Sequence, residues 1–458
     1  TVLTEFSPIA LEAKLTGDHS FAWVKRNLTP REQYAVNRLG IPGLYFQREE
    51  QRYYPFGGLT AHAIGFTGID NEGLAGLELA LDPLLVGGHE PLALSLDLRI
   101  QHILADELSA AMAEFEAIGA AGVVLDIETG EVLALASLPT FDPHNPGAAS
   151  ADARFNRATL GIYELGSVFK IFTTAMALDE GVVTFDDGFD VSKPIKVSRF
   201  TINDYKPKKP YMTIPEIFMY SSNIGTVKMA MEAGTEAERS FLERLGLLRP
   251  ATFELPEIGN PLVPSPWREI NTMTIAYGHG LAVSPLMLAH AAAAVIGGGV
   301  LKPVTLIKRG PHETVVGERV MSERTSDQMR QLLRLTVEAG TGRNAEVPGY
   351  LVGGKTGTAD KQRGHGYAGN ARISSFLGAF PMDAPRYLIF AMLDEPHGNA
   401  KTYGYATGGW VAAPLVGRVI ARLAPLVGVA PVAPADERGE SPLLVKIKAA
   451  EGRRLASN

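Results

Sequence analysis

The sequence lacks cysteine throughout its 458 residues. This absence excludes thiol nucleophiles, cysteine-bound metals and disulfide bonds, and it is compatible with an oxidising compartment. No apolar run reaches the roughly 20 residues that a membrane-spanning helix needs, and no signal peptide is recognisable. The ten histidines are scattered without the spacing of metal ligands, so we predict neither a metal site nor a cofactor.

The sequence also lacks a block of basic residues. Its 43 basic and 50 acidic side chains give a net charge of −7, and no basic cluster stands out, so we predict no nucleic-acid partner. Hydrophobic residues make up 46% of the chain and charged residues 20%, proportions that are typical of soluble globular proteins. The length allows about two to four domains around a large core.

We predict three regions. Residues 1–90 combine short mixed segments with a stretch rich in glycine and tyrosine, and they show no catalytic constellation, so we interpret them as a non-catalytic interaction or spacer module. Residues 91–430 hold the longer apolar segments and all candidate catalytic motifs. Residues 431–458 begin with prolines and continue as a charged segment, which predicts a C-terminal tail.

The hydrophobic pattern of the middle region predicts a mixed α/β (α+β) fold. An apolar strand is expected over 91–96, and Asp97 after it should cap a helix that runs to about Ala117. Two apolar runs, 121–126 and 132–136, flank a short turn containing glycine and predict a β-hairpin.

The rest of the middle region is predicted to be mainly helical over 240–340 and strand-like after that. Three strands, at 352–359, 373–380 and 387–393, should form an antiparallel meander. The polar, glycine-rich connection 360–372 is predicted to form a mobile flap beside the first of these strands. A closing amphipathic helix is expected from Trp410 to about Val427.

Ser167 and Lys170 begin an apolar helical segment. Ser167 follows a glycine, as expected at a helix N-terminus, and Lys170 lies about one turn further on the same face. A desolvated lysine can take the proton of a serine hydroxyl, and the positive end of a helix favours the oxyanion that follows. We therefore predict a nucleophile and its base. The alternative is a capping serine with a lysine that reaches solvent.

A second polar group, Ser221-Ser222-Asn223, separates two apolar helical segments. The first segment begins at a capping box formed by Thr213 and Glu216. Polar residues in such a break either cap the second helix or face a cleft. As a cap, Asn223 would need no functional explanation.

Lys355 permits two interpretations. Residues 349–356 match the phosphate-binding loop G-x-x-x-x-G-K-T, and the apolar segment 387–395 ends in acids that could bind magnesium. That loop must follow a strand and begin a helix, and neither flank has such a pattern. The second interpretation places Lys355, Thr356 and Gly357 on an edge strand of an acyl-transfer cleft. There the lysine and the threonine hydroxyls would hold a substrate carboxylate, and Gly357 would admit the substrate backbone.

The three motifs together resemble a known set. Ser-x-x-Lys at 167–170, Ser-x-Asn at 221–223 and Lys-Thr-Gly at 355–357 appear in the order found in penicillin-binding proteins and serine β-lactamases. The sequence is most similar to the class B penicillin-binding proteins of cell division. The resemblance covers about residues 45–430, and it also includes the stretches 52–55, 73–78, 220–225 and 277–280.

This resemblance implies a penicillin-recognising transpeptidase domain, with a five-stranded antiparallel sheet flanked by helices, behind an N-terminal pedestal. Ser167 would attack the carbonyl of the penultimate D-Ala in a peptidoglycan stem peptide. Lys170 would be the base, and Ser221 would relay protons to the leaving amine. Lys355 would shape the local field, and Asn223 would hold the substrate amide.

The resemblance also implies the remaining substrate contacts. Thr356 and Thr358, on either side of Gly357, would bind the terminal carboxylate, and the backbone N–H groups of Ser167 and Thr358 would form the oxyanion hole. An amine of a neighbouring stem would then resolve the acyl-enzyme into a cross-link. β-Lactams would acylate the same serine.

The implied partners are peptidoglycan stem peptides, β-lactam antibiotics, and a membrane glycosyltransferase with other divisome proteins at the pedestal. The implied location is the periplasmic face of the bacterial inner membrane, with an anchor that is absent from this chain. Several related functions stay open. A D-alanyl-D-alanine carboxypeptidase would use water as acceptor, and an elongation-type transpeptidase usually has Asp in place of Asn223. A serine β-lactamase would need an element for a deacylating water that the sequence lacks, and a β-lactam sensor or inactive scaffold would not need the intact motifs.

Overall fold

The computed structural model describes residues 7–16, 20–88, 90–197, 200–205, 208–311, 313–363, 366–433 and 439–456. Its helices are α1 (Pro8–Leu15), α2 (Pro30–Asn37), α3 (Ala61–Ile64), α4 (Gly76–Ala80), α5 (Asp82–Gly87), α6 (Leu98–Glu114), α7 (Ala151–Arg154), α8 (Lys170–Asp179), α9 (Ile214–Tyr220), α10 (Asn223–Ala233), α11 (Thr235–Arg244), α12 (Glu269–Ile275), α13 (Pro285–Ile296), α14 (Glu323–Glu338), α15 (Ala412–Leu426) and α16 (Pro442–Ala456). Its strands are β1 (Phe66–Thr67), β2 (Gly73–Ala75), β3 (Gly119–Asp126), β4 (Val132–Leu138), β5 (Gly188–Asp190), β6 (Ile195–Val197), β7 (Phe200–Ile202), β8 (Tyr211–Thr213), β9 (Val300–Leu301), β10 (Glu318–Arg319), β11 (Gly353–Arg363), β12 (Gly366–Phe380) and β13 (Tyr387–Asp394).

A five-stranded antiparallel sheet organises the larger part of the molecule. Its order is β11-β12-β13-β3-β4, so the predicted hairpin and the predicted meander join through the pairing of Tyr387 with Asp126. β3 and β13 are buried along their whole length, which explains their nearly continuous apolar sequences. β11 remains an edge strand. The predicted fold class is confirmed.

Helices cover both faces of this sheet. Val123 and Leu125 belong to a hydrophobic cluster that includes residues of α8, α13 and α14. The side chain between them, Val124, belongs to a second cluster with residues of α6 and α15. Successive side chains of a strand point to opposite faces, so one strand contributes to both cores.

The segment 91–96 is not a strand, although Asp97 caps α6 as predicted. Leu94 makes only an isolated bridge with Ile307. The N–H of Ser95 donates to Leu306 O at 2.8 Å, and its hydroxyl donates to Val132 O at 2.7 Å. Side-chain and single backbone bonds therefore satisfy this segment, and no continuous ladder forms beside it.

The connection 360–372, predicted as a mobile flap, consists largely of strand. β11 continues to Arg363 and β12 begins at Gly366, and the backbone of Gln362 pairs with that of Tyr367; residues 364 and 365 lie outside the described part of the chain. Backbone pairing does not require apolar side chains, so the polar composition concealed these strands.

The C-terminal segment also differs from the predicted tail, because residues 442–456 form α16. Leu443, Leu444 and Ile447 are buried in the cluster that includes α14, and the N–H of Ser441 donates to Glu338 Oε1 at 2.8 Å. The apolar stripe was hidden by the many charges around it. The boundary near residue 90 stays a prediction. In the described residues, no helix is long and apolar enough to cross a membrane.

Candidate active site

Ser167 lies in a short 3₁₀ turn, Gly166–Phe169, directly before α8. Gly166 has a φ of +60°, and its N–H donates to Gly278 O at 3.2 Å. A Cβ on Gly166 would lie 2.4 Å from the carbonyl oxygen of Thr358. Glycine therefore lets this turn contact the backbone of the edge strand β11. Ser167 itself is half-buried and lines a cleft of 540 Å³.

Lys170 is fully buried at the start of α8, so it does not reach solvent. Its ammonium donates to Ser221 O at 2.6 Å, to Asn223 Oδ1 at 2.7 Å and to Ser221 Oγ at 3.1 Å. Within the described residues, no hydrogen bond joins Lys170 to the hydroxyl of Ser167. The lysine thus connects the first motif to the second.

Lys355, on β11, approaches the Ser221 hydroxyl from another side. It is fully buried, and its Nζ donates to Ser221 Oγ at 2.9 Å and to Thr356 O at 3.3 Å. The ammonium also lies 5.8 Å from the centroid of the Phe218 ring. The Ser221 hydroxyl therefore lies between two lysines that come from different parts of the chain.

Burial changes the proton affinity of both lysines. It lowers the pKa of Lys170 to about 7, and the negative charge of Asp204 opposes this shift. Burial also lowers the pKa of Lys355 well below its usual value, and the positive charge of Lys170 lowers it further. A neutral amine that can accept a proton is therefore accessible near neutral pH.

The second motif owes its shape to the break between α9 and α10. The capping box at Thr213 is present, and Ser221 ends α9 in the left-handed conformation with φ of 61°. Ser222 is the N-cap of α10 and accepts from the N–H of Gly225 at 3.0 Å. Asn223 is therefore not the cap. Its side chain accepts from Lys170 and donates to Asn203 O at 2.9 Å.

The third motif lies on β11 beside the nucleophile turn. Thr356 and Thr358 line the cleft, where Thr356 Oγ1 lies 3.0 Å from Thr341 Oγ1 and Thr358 Oγ1 accepts from the N–H of Gly408 at 3.0 Å. Both hydroxyls are thus positioned before any substrate binds.

Two residues of this motif have contacts that the sequence did not predict. A Cβ on Gly357 would lie 2.5 Å from Leu165 O and 2.2 Å from Ser375 Oγ, so this glycine lets the nucleophile turn and the next strand approach each other; its contact with a substrate backbone stays a prediction. Lys355 is bonded to Ser221 behind the cleft surface, so it is not open to a substrate carboxylate. Its alternation with Thr356 along the strand explains why one points inwards and the other into the cleft.

The phosphate-loop interpretation is wrong. Residues 353–363 form β11, and the strand β12 follows it instead of a helix. A helix N-terminus is what positions phosphate groups in such loops. Lys355 lies inside a strand, and in the described part of the chain the element directly after that strand is another strand.

Among the polar residues of the cleft that sequence reasoning missed is Asp204. It lies between β7 and β8, and its carboxylate accepts from the Ser222 hydroxyl at 2.7 Å and from the N–H of Ile224 at 3.0 Å. Nothing in its sequence neighbourhood indicates this role, because its partners lie about twenty residues further along the chain.

Comparison with known proteins identifies the class to which this fold and cleft belong. Residues 120–421 match the penicillin-binding protein transpeptidase domain, a stretch that is well over half of the chain and contains all three motifs. The chain therefore belongs to the penicillin-binding protein transpeptidase family. The predicted family is confirmed.

Curated relatives specify the branch of this family. The probable peptidoglycan D,D-transpeptidase FtsI of Caulobacter vibrioides is 44% identical over 432 residues, which cover 92% of this chain and 73% of the relative. The peptidoglycan D,D-transpeptidase FtsI of Escherichia coli K12 is 31% identical over 430 residues, which cover 87% of this chain and 71% of the relative. These matches confirm the predicted enzyme class, a D,D-transpeptidase of the division type.

Solved structures agree. The apo transpeptidase domain of penicillin-binding protein 3 from Burkholderia pseudomallei has a TM-score of 0.67 and 34% identity, and the match covers 76% of this chain and 99% of that domain. Penicillin-binding protein 3 from Mycobacterium tuberculosis, in complex with aztreonam, has a TM-score of 0.75 and 31% identity, with coverage of 84% and 92%.

Proposed function

We propose that this chain cross-links peptidoglycan stem peptides through an acyl-enzyme on Ser167. One observation carries the assignment of roles: the Ser221 hydroxyl is bonded to two buried lysines, Lys170 and Lys355, in a cleft that Ser167 also lines. Buried lysines of lowered pKa are suited to proton transfer at neutral pH.

The first half-reaction forms the acyl-enzyme. Ser167 Oγ attacks the carbonyl carbon of the penultimate D-Ala while neutral Lys170 accepts the hydroxyl proton. A neutral lysine keeps two N–H donors and has one lone pair for this proton. The C–N bond to the terminal D-Ala then breaks. Ser221 passes its proton to the leaving amine and takes the proton held by Lys170 in exchange, so Lys170 is neutral again; Lys355 lies next to this hydroxyl.

Three further contacts support the binding of the donor stem. The backbone N–H groups of Ser167 and Thr358 would stabilise the oxyanion, and the hydroxyls of Thr356 and Thr358 would bind the terminal carboxylate. The Asn223 side chain would bind the substrate amide. In the second half-reaction, an amine of a neighbouring stem attacks the ester carbonyl and loses a proton to Lys170. The C–O bond to Ser167 then breaks, and Lys170 returns the proton to Ser167 Oγ.

The same groups explain why a β-lactam would acylate Ser167, since its strained amide occupies the position of the scissile bond. The similarity to FtsI proteins supports a role in division, with divisome partners at residues 1–90 and a periplasmic location. These partners and this location stay predictions.

The test is labelling with fluorescent penicillin, comparing the unaltered chain with S167A and with S192A, a control at an exposed serine outside the cleft. We expect a stable adduct in the unaltered chain and in S192A and none in S167A. Labelled S167A would refute the assigned nucleophile, and rapid turnover of the adduct would indicate a β-lactamase.

A second measurement identifies the acceptor. A peptide ending in D-Ala-D-Ala is incubated with a second peptide that carries a free side-chain amine, and the products are identified by mass spectrometry. A cross-linked dimer with released D-Ala supports transpeptidation. A shortened peptide without dimer would indicate a carboxypeptidase.

A further inference from the structure

Asp204 holds the turn that carries the second motif. Its Oδ2 accepts from the Ser222 hydroxyl at 2.7 Å, and its Oδ1 accepts from the N–H of Ile224 at 3.0 Å. These two residues flank Asn223, whose own amide donates to Asn203 O at 2.9 Å. A two-residue segment from outside both helices thus fixes three consecutive residues at the start of α10.

The charge of the same carboxylate acts on one of the two buried lysines of the site, Lys170. Lys170 and Lys355 are both fully buried, and within the described residues neither has a carboxylate within 4.0 Å. Asp204 is the acid whose charge acts on Lys170. The other charged or titratable groups that line the cleft include Asp360 and Arg372, which pair with each other at 2.9 Å, together with Lys208, Arg343 and His279.

We propose, building on the proposed function, that Asp204 is a positioning residue of the reaction. It clamps the Ser222–Ile224 turn so that Ser221 and Asn223 meet Lys170, and it supplies the counter-charge for Lys170. The clamp follows from two hydrogen bonds. The counter-charge follows from the effect of the Asp204 charge on Lys170, which has no carboxylate within 4.0 Å among the described residues. None of the three motifs includes this residue.

The two roles have separable consequences. In D204N the charge is lost, so the pKa of Lys170 falls and the lysine becomes neutral at lower pH. The acid limb of the pH profile of acylation, the pH range in which the rate rises, should therefore move to lower pH by about one unit, at the low end of the effect of a neighbouring opposite charge. In D204E the charge remains, but the longer side chain disturbs the clamp. The acid limb of the pH profile of this variant should stay at the same pH, while its maximal acylation rate falls.

The experiment measures the second-order rate of labelling by fluorescent penicillin from pH 5 to pH 9 for the unaltered chain, D204N, D204E and D383N. Asp383 is exposed in the turn between β12 and β13, outside the residues that line the cleft, so D383N removes the same charge without the contacts. Thermal melting followed by circular dichroism establishes that each variant is folded.

The inference is supported if the acid limb of the pH profile shifts in D204N but does not shift in D204E or D383N. A merely structural role would lower the maximal rate of D204N without moving the limb. A D204N profile that superimposes on that of D383N would overturn the inference and leave the proposed function intact. If D204N does not fold, the test depends on D204E alone. A maximal acylation rate of D204E equal to that of the unaltered chain would overturn the proposed clamp. Absence of adduct in the unaltered chain would overturn the proposed function, and this inference with it.

Discussion

Replacing Gly278 by alanine should displace the nucleophile turn although Gly278 is not among the residues that line the cleft. Gly278 has a φ of +91°, and a Cβ there would lie 1.9 Å from Gly166 O and 2.4 Å from Gly166 C. The new Cβ would meet backbone atoms of Gly166. The position of a Cβ is fixed by its own backbone, so no side-chain rotation can relieve the overlap. The carbonyl of Gly278 also accepts from the N–H of Gly166, so the two segments are fixed in both directions.

The size of the expected loss in acylation rate follows from these distances. The two segments must separate by about 1.1 Å to bring the new Cβ to the 3.0 Å below which such contacts essentially do not occur. A displacement of about 1 Å at a reacting group costs about 100-fold in rate, and an alanine in the left-handed region adds about 1–2 kcal/mol of strain. We therefore expect G278A to fold with lowered stability and to be acylated about 100-fold more slowly.

The matched control is G181A, just after α8. Gly181 has a φ of +70°, and a Cβ there meets no atom within 4 Å, so this variant has the strain without the displacement. Acylation rates with fluorescent penicillin and thermal melts are measured for both variants. If G278A is acylated as fast as G181A, the contact between Gly278 and Gly166 does not position the nucleophile and the reasoning is refuted.

Two further predictions concern stability. Glu238 is buried, and burial raises the pKa of its carboxyl well above the usual 4.5, with Thr272 opposing the shift. The folded state then binds more protons than the unfolded state, so the contribution of Glu238 to stability decreases as the pH rises above about 4.5. Urea unfolding of E238Q should therefore show a gain over the unaltered chain that grows from pH 5 to pH 8, and a difference independent of pH would contradict this. Leu444 on α16 is only 6% exposed whereas Val445 is 51% exposed, so L444A should lose about 2–5 kcal/mol and V445A almost nothing, with acylation unchanged in both. Equal melting temperatures for these two variants would show that α16 does not pack as described.

Local patterns predicted much of the framework. The capping box of Thr213 and Glu216 defines the start of α9 because each side chain bonds a backbone N–H within three residues. The apolar row after Lys170 predicts a buried helix, and the turn between 126 and 132 predicts the β3–β4 hairpin. All of these depend on residues that are neighbours in the chain, so sequence periodicity is enough to reveal them.

Predictions from composition failed in two segments whose structure depends on tertiary packing or on backbone pairing. The charged C-terminal segment contains only a narrow apolar stripe, and the sequence does not show that this stripe packs against α14. The polar residues between 360 and 372 extend two strands through their backbones, and the amide groups that pair there are the same in every sequence.

The sequence by itself determined which groups are available: a serine, two lysines, an asparagine and an edge-strand glycine at spacings that resemble a known enzyme family. Only the tertiary structure decided that Lys170 and Lys355 share the hydroxyl of Ser221, that Gly357 lets the nucleophile turn approach, and that Asp204 holds the second motif. The reason is that these contacts join segments tens to hundreds of residues apart. Their distances are set by the register of the sheet and the packing of helices on it, which no local pattern records.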